Sequence, residues 1–136
     1  MLLDDLSDLL STGGLTTAIY KDHIPALAGD AAIGLFETGG MSSLQTMSTG
    51  PGAASTIERP RVQIIVRHRD ASVAMAVATQ AYTLIDGLRE RAINGVRYLW
   101  AQAVQSPFYL DTDENNRILI AFNVDVLKAL STSTST

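Results

Sequence analysis

Apolar and polar positions follow two periods along this chain, and each period predicts a type of element. From Met1 to Thr12, leucines recur every three or four residues with aspartates between them. This spacing predicts an amphipathic helix, which Gly13 and Gly14 would end. Segments 16–21 and 31–37 carry strand-type residues on either side of a stretch with Pro and Gly, and they predict a pair of strands.

The second half of the chain has longer and more regular patterns. Alternation over residues 61–69 predicts a half-buried strand. From 70 to 91 the period becomes helical, with an apolar stripe from Val73 to Leu88, and Asp70 is placed to be the N-cap. Period two returns over 96–105 and 117–127, after the turn pair Asn94-Gly95, and predicts two strands that form an antiparallel hairpin.

Two segments have no sustained period. Residues 38–57 are uncharged and rich in Gly, Ser and Thr, which predicts a long flexible loop. Residues 131–136 alternate Ser and Thr and predict a disordered tail. The patterns together predict one α+β domain over residues 1–130, with a small mixed, mainly antiparallel sheet, a long helix packed on one face and an N-terminal amphipathic helix.

Composition narrows the class of protein. The 136 residues are 46% hydrophobic and 18% charged, enough apolar surface for one core in a soluble globular domain. The longest uncharged stretch lacks the apolar density of a membrane span, and the acidic N-terminus is unlike a secretory signal, so we expect neither a membrane segment nor export. Cysteine is absent, which removes disulfides and thiolate chemistry.

Charge is distributed unevenly and suggests a dipolar molecule. The net charge of −4 argues against a general nucleic-acid binder. Three N-terminal aspartates and four closely spaced arginines are candidate contacts to other subunits: Asp4, Asp5, Asp8, Arg59, Arg61, Arg67 and Arg69. We interpret the arginines as a solvated strand edge that meets carboxylates of a neighbouring subunit, because Arg makes bidentate pairs and is enriched at interfaces. The alternative is a basic stacking platform for RNA or single-stranded DNA that also uses Tyr98 and Trp100.

Catalytic and metal-binding patterns are weak. His23 and His68 lack the spacing partners of a zinc site or a catalytic triad. Asp111, Asp113 and Asn115 copy the opening of a calcium loop. The sixth position is not Gly and the twelfth is not Glu, so the segment predicts a solvated hairpin turn instead.

Residues 58–127 resemble the tail-terminator, or minor capsid (tail-completion), proteins of long-tailed bacteriophages. The resemblance lies in Arg59–Gln63, in Asn94–Tyr98 and in Ala103–Leu110 followed by Asp113–Asn115. The last piece is the most specific, and its Phe108 and Tyr109 are further candidates for a subunit or partner interface.

The resemblance implies a structural virion protein. Such proteins form a ring, generally a hexamer, which caps the tail tube, ends its elongation and offers a surface to head-completion or neck proteins. The resemblance implies no enzyme activity, catalytic residue, metal or cofactor, no membrane contact, and nucleic acid only as DNA passing through the ring. It implies the head-proximal end of the tail, after assembly in the host cytoplasm.

Two kinds of alternative remain open at this stage. Another neck or head-completion connector has the same size and ring logic, and a small α/β enzyme would need a pocket with strongly perturbed acids or a histidine. If the strand that carries the arginines is a subunit interface, replacing Arg61 and Arg67 with Glu is expected to abolish ring formation.

Overall fold

The computed structural model describes residues 2–15, 17–25, 29–39, 41–45 and 56–130. Two helices and nine strands follow one another along these residues. They are α1 (Leu2–Thr12), β1 (Ile19–Lys21), β2 (Ala32–Glu37), β3 (Met41–Gln45), β4 (Thr56–Arg59), β5 (Arg61–His68), α2 (Ala71–Asp86), β6 (Arg89–Ile93), β7 (Val96–Ala103), β8 (Phe108–Thr112) and β9 (Ile118–Leu130).

The long strand β9 organises the sheet. Along one side it pairs first with β5 and then, beyond Pro60, with β4. Along the other side it pairs first with β8 and then with β7. All four of these pairings are antiparallel, so β9 is hydrogen-bonded on both sides over most of its length. The predicted antiparallel pairing of 96–105 with 117–127 is confirmed. The two strands do not form the predicted hairpin, because β8 lies between them in the chain and pairs with β9 itself.

The remaining strands extend the sheet outward from these neighbours. Beyond β5 lie β2 and then β1, and the β1–β2 pair is the parallel one. Beyond β4 lies β3, and beyond β7 lies β6. The predicted class is confirmed: the sheet is mixed and mainly antiparallel, with a long helix on one face and an amphipathic helix at the N-terminus. With nine described strands, it is larger than the small sheet that was predicted.

Both helices pack on one face of the sheet, which we call the core face; the opposite face is the outer face. Leucines of α1 and alternate residues of the strands are buried there, each large side chain contributing about 1.5–3 kcal/mol. The fully buried large side chains are Leu6, Leu10, Ile33, Leu35, Val62, Ile64, Val66, Ile85, Tyr98, Phe122, Val124 and Val126. The alternation predicted over 61–69 and 117–127 is therefore confirmed, with Val62, Ile64 and Val66 of β5 and Phe122, Val124 and Val126 of β9 on the core face.

Helix α2 begins where the sequence predicts and ends earlier. The Asp70 carboxylate accepts hydrogen bonds from the backbone of Ser72 and Val73, as an N-cap does. The helix stops at Asp86, with Gly87 as its C-cap, so the predicted extension to residue 91 is wrong. The predicted stripe is confirmed at Ala81 and Ile85, which are buried. In the first half of the helix Ala74 and Ala78 are buried instead, and Val73 is exposed.

The residues after α2 form a hairpin that the helical periodicity conceals. Asn94 and Gly95 both have positive φ, the backbone of a two-residue turn whose twist suits a β-hairpin. This turn joins β6 to β7, so residues 89–93 form a strand. The Asn94-Gly95 turn was predicted, but the strand before it was not.

A β-bulge changes which residues of β7 face the core. The register shifts between Tyr98 and Trp100, so that Tyr98 lies opposite Lys128 and Trp100 opposite Leu127. As a result Tyr98 and Ala101 are both fully buried. The period of two predicted over 96–105 would place Tyr98 and Trp100 on one face, and this is wrong, because the bulge inserts one extra residue into the alternation.

Part of the predicted loop is strand. Met41–Gln45 pairs with β4, so the absence of secondary structure predicted for 38–57 is wrong over this stretch. Residues 46–55, and the predicted tail 131–136, lie outside the described residues, and the single-domain division stays a prediction. Neither described helix has the length and apolar character needed to cross a bilayer.

Candidate subunit interface

The three aspartates of α1 lie in different environments. The Asp4 carboxylate pairs with Lys21 Nζ at 2.6 Å, and both side chains are about half exposed. The hydrogen bond and charge of Lys21 lower the pKa of Asp4. Asp8 is exposed and accepts a hydrogen bond from Asn94 Nδ2 at 2.8 Å. Asp5 is only 1% exposed, so of the three predicted contacts it is the one that another subunit cannot reach.

Asp5 instead belongs to a buried polar network that joins α1 to the β6–β7 hairpin. The Tyr98 hydroxyl donates a short hydrogen bond to Asp5 Oδ2. Asn94 Nδ2, in the hairpin turn, donates to Asp5 Oδ1 at 2.8 Å. Burial, and secondarily the bond to Asp5, raise the pKa of Tyr98. The network therefore adds polar contacts between the N-terminal helix and the sheet to those of the buried leucines.

The four candidate arginines of β4, β5 and the residue after β5 also differ in exposure: Arg67 is buried, and Arg61 and Arg69 are exposed to solvent. On the outer face, Arg61 forms a bidentate pair with Asp125 of β9, at 2.7 and 3.2 Å. The hydrogen bond to Asp125 is the first cause that raises the pKa of Arg61, and the charge of Asp125 adds to it. Arg59 borders a small cavity of about 140 Å³ that Trp100 and Leu127 also line. At the end of β5, Arg69 Nε pairs with Asp30 at 2.6 Å.

Replacing Arg61 with Gln is expected to lower the free energy of unfolding by less than about 1 kcal/mol, because an exposed ion pair is only slightly more favourable than the same two side chains separately hydrated. Both side chains of the Arg61–Asp125 pair are more than one-third exposed. Urea unfolding of the variant, with Gln63→Ala in the same strand as a control, measures the effect. A loss above 2 kcal/mol in the variant alone would show that the pair is structural.

Arg67 is buried rather than part of a solvated edge. Strand β5 lies between β2 and β9, so it has no free edge. Ile24 and Gly29, which lie between β1 and β2, cover this end of the outer face. The Ile24 side chain occupies the space that a Cβ on Gly34 would need, and the Gly29 carbonyl accepts a hydrogen bond from Arg67. Arg67 is 5% exposed. The predicted interpretation of β5 as an arginine-bearing edge is therefore wrong.

The exposed large apolar side chains fall into two groups among the described residues. Val73 and Met75 lie on α2, while Val104, Tyr109 and Leu110 lie at the end of β7 and on β8. Of these five residues the sequence analysis selected only Tyr109. The run of three consecutive large apolar residues, Phe108-Tyr109-Leu110, could also have indicated Leu110, because successive residues of a strand point to opposite faces.

The two predicted aromatic contacts of β8 point to opposite faces. Phe108 lies opposite Ala121 and is partly buried on the outer face. Tyr109 lies opposite Ile120 and is 58% exposed, with its hydroxyl 2.6 Å from Thr112 Oγ1. Tyr109 is therefore the one that is accessible to a partner.

The described residues offer little for metal chemistry. They contain no group of three or more His, Asp or Glu side chains arranged to hold a metal ion. The His68 Nδ1 accepts a hydrogen bond from the Asp70 backbone. The calcium-like segment forms the β8–β9 turn, where the Asp113 carboxylate accepts from the backbone of Asn115 and Arg117 and from Arg117 Nε. The predicted hairpin turn is confirmed.

Comparisons with known proteins found a matching family model and a similar solved structure. A family model described as "Bacteriophage tail terminator protein" matches residues 5–128. A chain of a solved structure, "Virion of native gene transfer agent (GTA) particle", aligns with a TM-score of 0.59 over 95% of both chains at 11% identity. At that identity the likeness shows the fold alone. No curated protein sequence matches the chain.

Proposed function

Because the chain belongs to the bacteriophage tail terminator family, we propose that it forms a ring that caps the tail tube, ends tube elongation and presents the surface to which the head is joined. The proposed ring is a hexamer. Its partners are further copies of this chain, the tail-tube protein and a head-completion or neck protein, with DNA passing through the lumen. The protein then resides at the head-proximal end of the tail and assembles in the host cytoplasm.

The family match over residues 5–128 carries this proposal. It also favours a structural role over the enzyme alternative. A head-to-tail ring needs two different complementary surfaces on each subunit. Candidate surfaces exist on the described residues: α2 has no charged residue between Asp70 and Asp86, and β8 exposes Tyr109 and Leu110. Depletion of charge and exposed aromatic side chains are both typical of the centre of an interface.

Negative-stain electron microscopy tests the proposal. The purified chain is imaged alone at high concentration and then mixed with tubes polymerised from the tail-tube protein of the same phage. We expect closed rings, and density at one end of each tube. Tubes of an unrelated phage serve as the control and should remain uncapped.

A second readout tests termination itself. Capped tubes are supplied with fresh tube protein, and their length distribution should stay unchanged, whereas uncapped tubes lengthen. The absence of both rings and end-binding would contradict the proposal. Rings that bind isolated heads but not tubes would favour the alternative of a head-completion connector.

A further inference from the structure

Arg67 is buried, lines an open cavity on the outer face and forms no salt bridge with any described residue. The cavity has a volume of about 510 Å³ and lies beside the β8–β9 turn. The Arg67 guanidinium donates one hydrogen bond, from Nη2 to the Gly29 carbonyl at 3.0 Å. Its buried Nε has no acceptor among the residues that the structure describes. Because a buried donor without a partner is costly, this position needs a reason to carry a charge.

Among the described residues Arg67 forms no salt bridge, whereas the two arginines near it, Arg69 and Arg117, each do. Arg117, 5% exposed, also lines the cavity and pairs with Asp113 at 2.8 Å. Asp30 pairs with Arg69 at 2.6 Å and lies 3.9 Å from Arg117. The two buried arginines of the cavity thus have one partly buried carboxylate between them, Asp113, because the other acids that line it, Asp111 and Glu114, are exposed. Burial lowers the pKa of Arg67 and the neighbouring Arg117 lowers it further, while the charges of Asp113 and Asp30 act in the opposite direction.

The rim of the cavity limits which anion can enter. Asp111 and Glu114 border the opening and are both exposed. Their charges repel a polyanion such as nucleic acid. The buried Arg67 and Arg117 form the floor of the cavity and attract a single carboxylate. A carboxylate with a cation on either side complements both the floor and the rim, because like charges facing each other across an interface are penalised.

This sequence contains one acidic residue with an arginine on each side, Glu90 between Arg89 and Arg91. All three side chains are exposed on β6, whose outer edge pairs with no other described strand. Glu90 has φ +43° and has no partner residue in the β6–β7 register, whereas Arg89 and Arg91 on either side of it do. Its present partner, Arg97, forms a pair that is 63% exposed on both sides. Such an exposed pair holds Glu90 only weakly.

We propose that Glu90 of one copy enters the cavity of the next copy and pairs with Arg67, while Arg91 faces Glu114 at the rim. The inference rests on the proposed ring and names one of its contacts. β6 lies beside the Leu127–Lys128 end of β9, and the cavity lies at the Arg117–Leu119 end. A contact between opposite ends of the subunit is head-to-tail, the type that builds a ring.

A charge exchange at the rim tests the contact without disturbing the core. Arg91→Glu and Glu114→Arg each place like charges across the interface, and each should weaken self-association about tenfold in sedimentation velocity at low salt. The double variant Arg91→Glu with Glu114→Arg restores opposite charges in every interface. It should recover self-association to within about twofold of wild type. A double variant no better than the weaker single variant overturns the proposal.

A second variant tests the carboxylate itself. Glu90→Gln should weaken self-association about tenfold, because a charge-assisted hydrogen bond is lost. Glu37→Gln, another exposed acid on a different strand, is the matched control and should change nothing. Thermal unfolding of each variant verifies that the fold is intact. If the Glu90→Gln variant self-associates as wild type does, the Glu90 contact is overturned, while the proposed ring is not contradicted. A wild-type chain that neither forms rings nor caps tubes overturns the proposed function as well.

Discussion

Replacing Tyr98 with Phe is expected to lower the free energy of unfolding by about 1.5–3 kcal/mol, the range for hydrogen bonds to charged groups. The substitution removes one oxygen atom and keeps the ring that fills the core. It leaves Asp5, 1% exposed, with Asn94 Nδ2 as its remaining donor. A buried carboxylate that loses a donor bears the cost of desolvation, and the contact between α1 and the β6–β7 hairpin should weaken with it.

Urea unfolding monitored by circular dichroism measures this loss. Tyr82→Phe is the matched control, because the Tyr82 ring packs edge-on against Phe122 at 5.8 Å and its hydroxyl makes no hydrogen bond among the described residues. The control should stay within about 0.5 kcal/mol of wild type. Equal stabilities for the two variants would mean that the Tyr98–Asp5 bond contributes nothing net.

The same bond has a signature at alkaline pH. The pKa of Tyr98 is raised in the folded chain, by burial first and then by Asp5. Above about pH 10, the ordinary pKa of tyrosine, the unfolded chain releases this proton while the folded chain keeps it. The stabilisation from Tyr98 is thus complete below pH 10 and declines as pH rises above it. The stability gap between wild type and Tyr98→Phe should narrow over that range.

The well-predicted parts of this fold are those in which one local pattern decides the outcome. Leucine spacing locates α1, alternation locates the core faces of β5 and β9, and Asp70 caps α2. Each of these features depends on residues that are close to one another in the sequence. The end of α2 is a conflict between two local patterns: Leu88 continues the apolar stripe, but Gly87 ends the helix and Asn94-Gly95 requires a strand before it.

The candidate contacts were less predictable because their environments are set across the sheet. Alternation places Arg61 and Arg67 on the same face of β5. Ile24 and Gly29, which lie between β1 and β2, cover only the end that holds Arg67. The partner of Arg61 lies 64 residues away, at Asp125, and that of Tyr98 lies 93 residues away, at Asp5. No local pattern in the sequence contains these pairings.

Burial of Arg67 also changes what its substitution can test. Arg67→Glu places a carboxylate among Asp30 and Asp113, so any loss of assembly would be confounded by unfolding. Replacement by Met removes the charge and keeps an apolar side chain of similar length. Exchanging a buried, poorly paired ion for an apolar residue is often neutral or stabilising.

Arg67→Met is therefore expected to separate stability from assembly. The free energy of unfolding should stay within about 1 kcal/mol of wild type, or rise, because removing the unpartnered Nε offsets the lost bond to the Gly29 carbonyl. Self-association should fall at least tenfold, since the entering carboxylate loses its buried partner. Chemical unfolding and sedimentation velocity on the same preparations measure the two quantities.

Arg69→Met is the control for this experiment. Arg69 is 57% exposed and pairs with Asp30, so its removal should change neither quantity by much. A large loss of stability in Arg67→Met alone would make Arg67 a structural residue. Unchanged stability together with unchanged assembly would mean that the cavity receives no carboxylate. A stable monomer that no longer assembles would explain why a buried position carries an arginine: its counter-charge arrives with the next subunit.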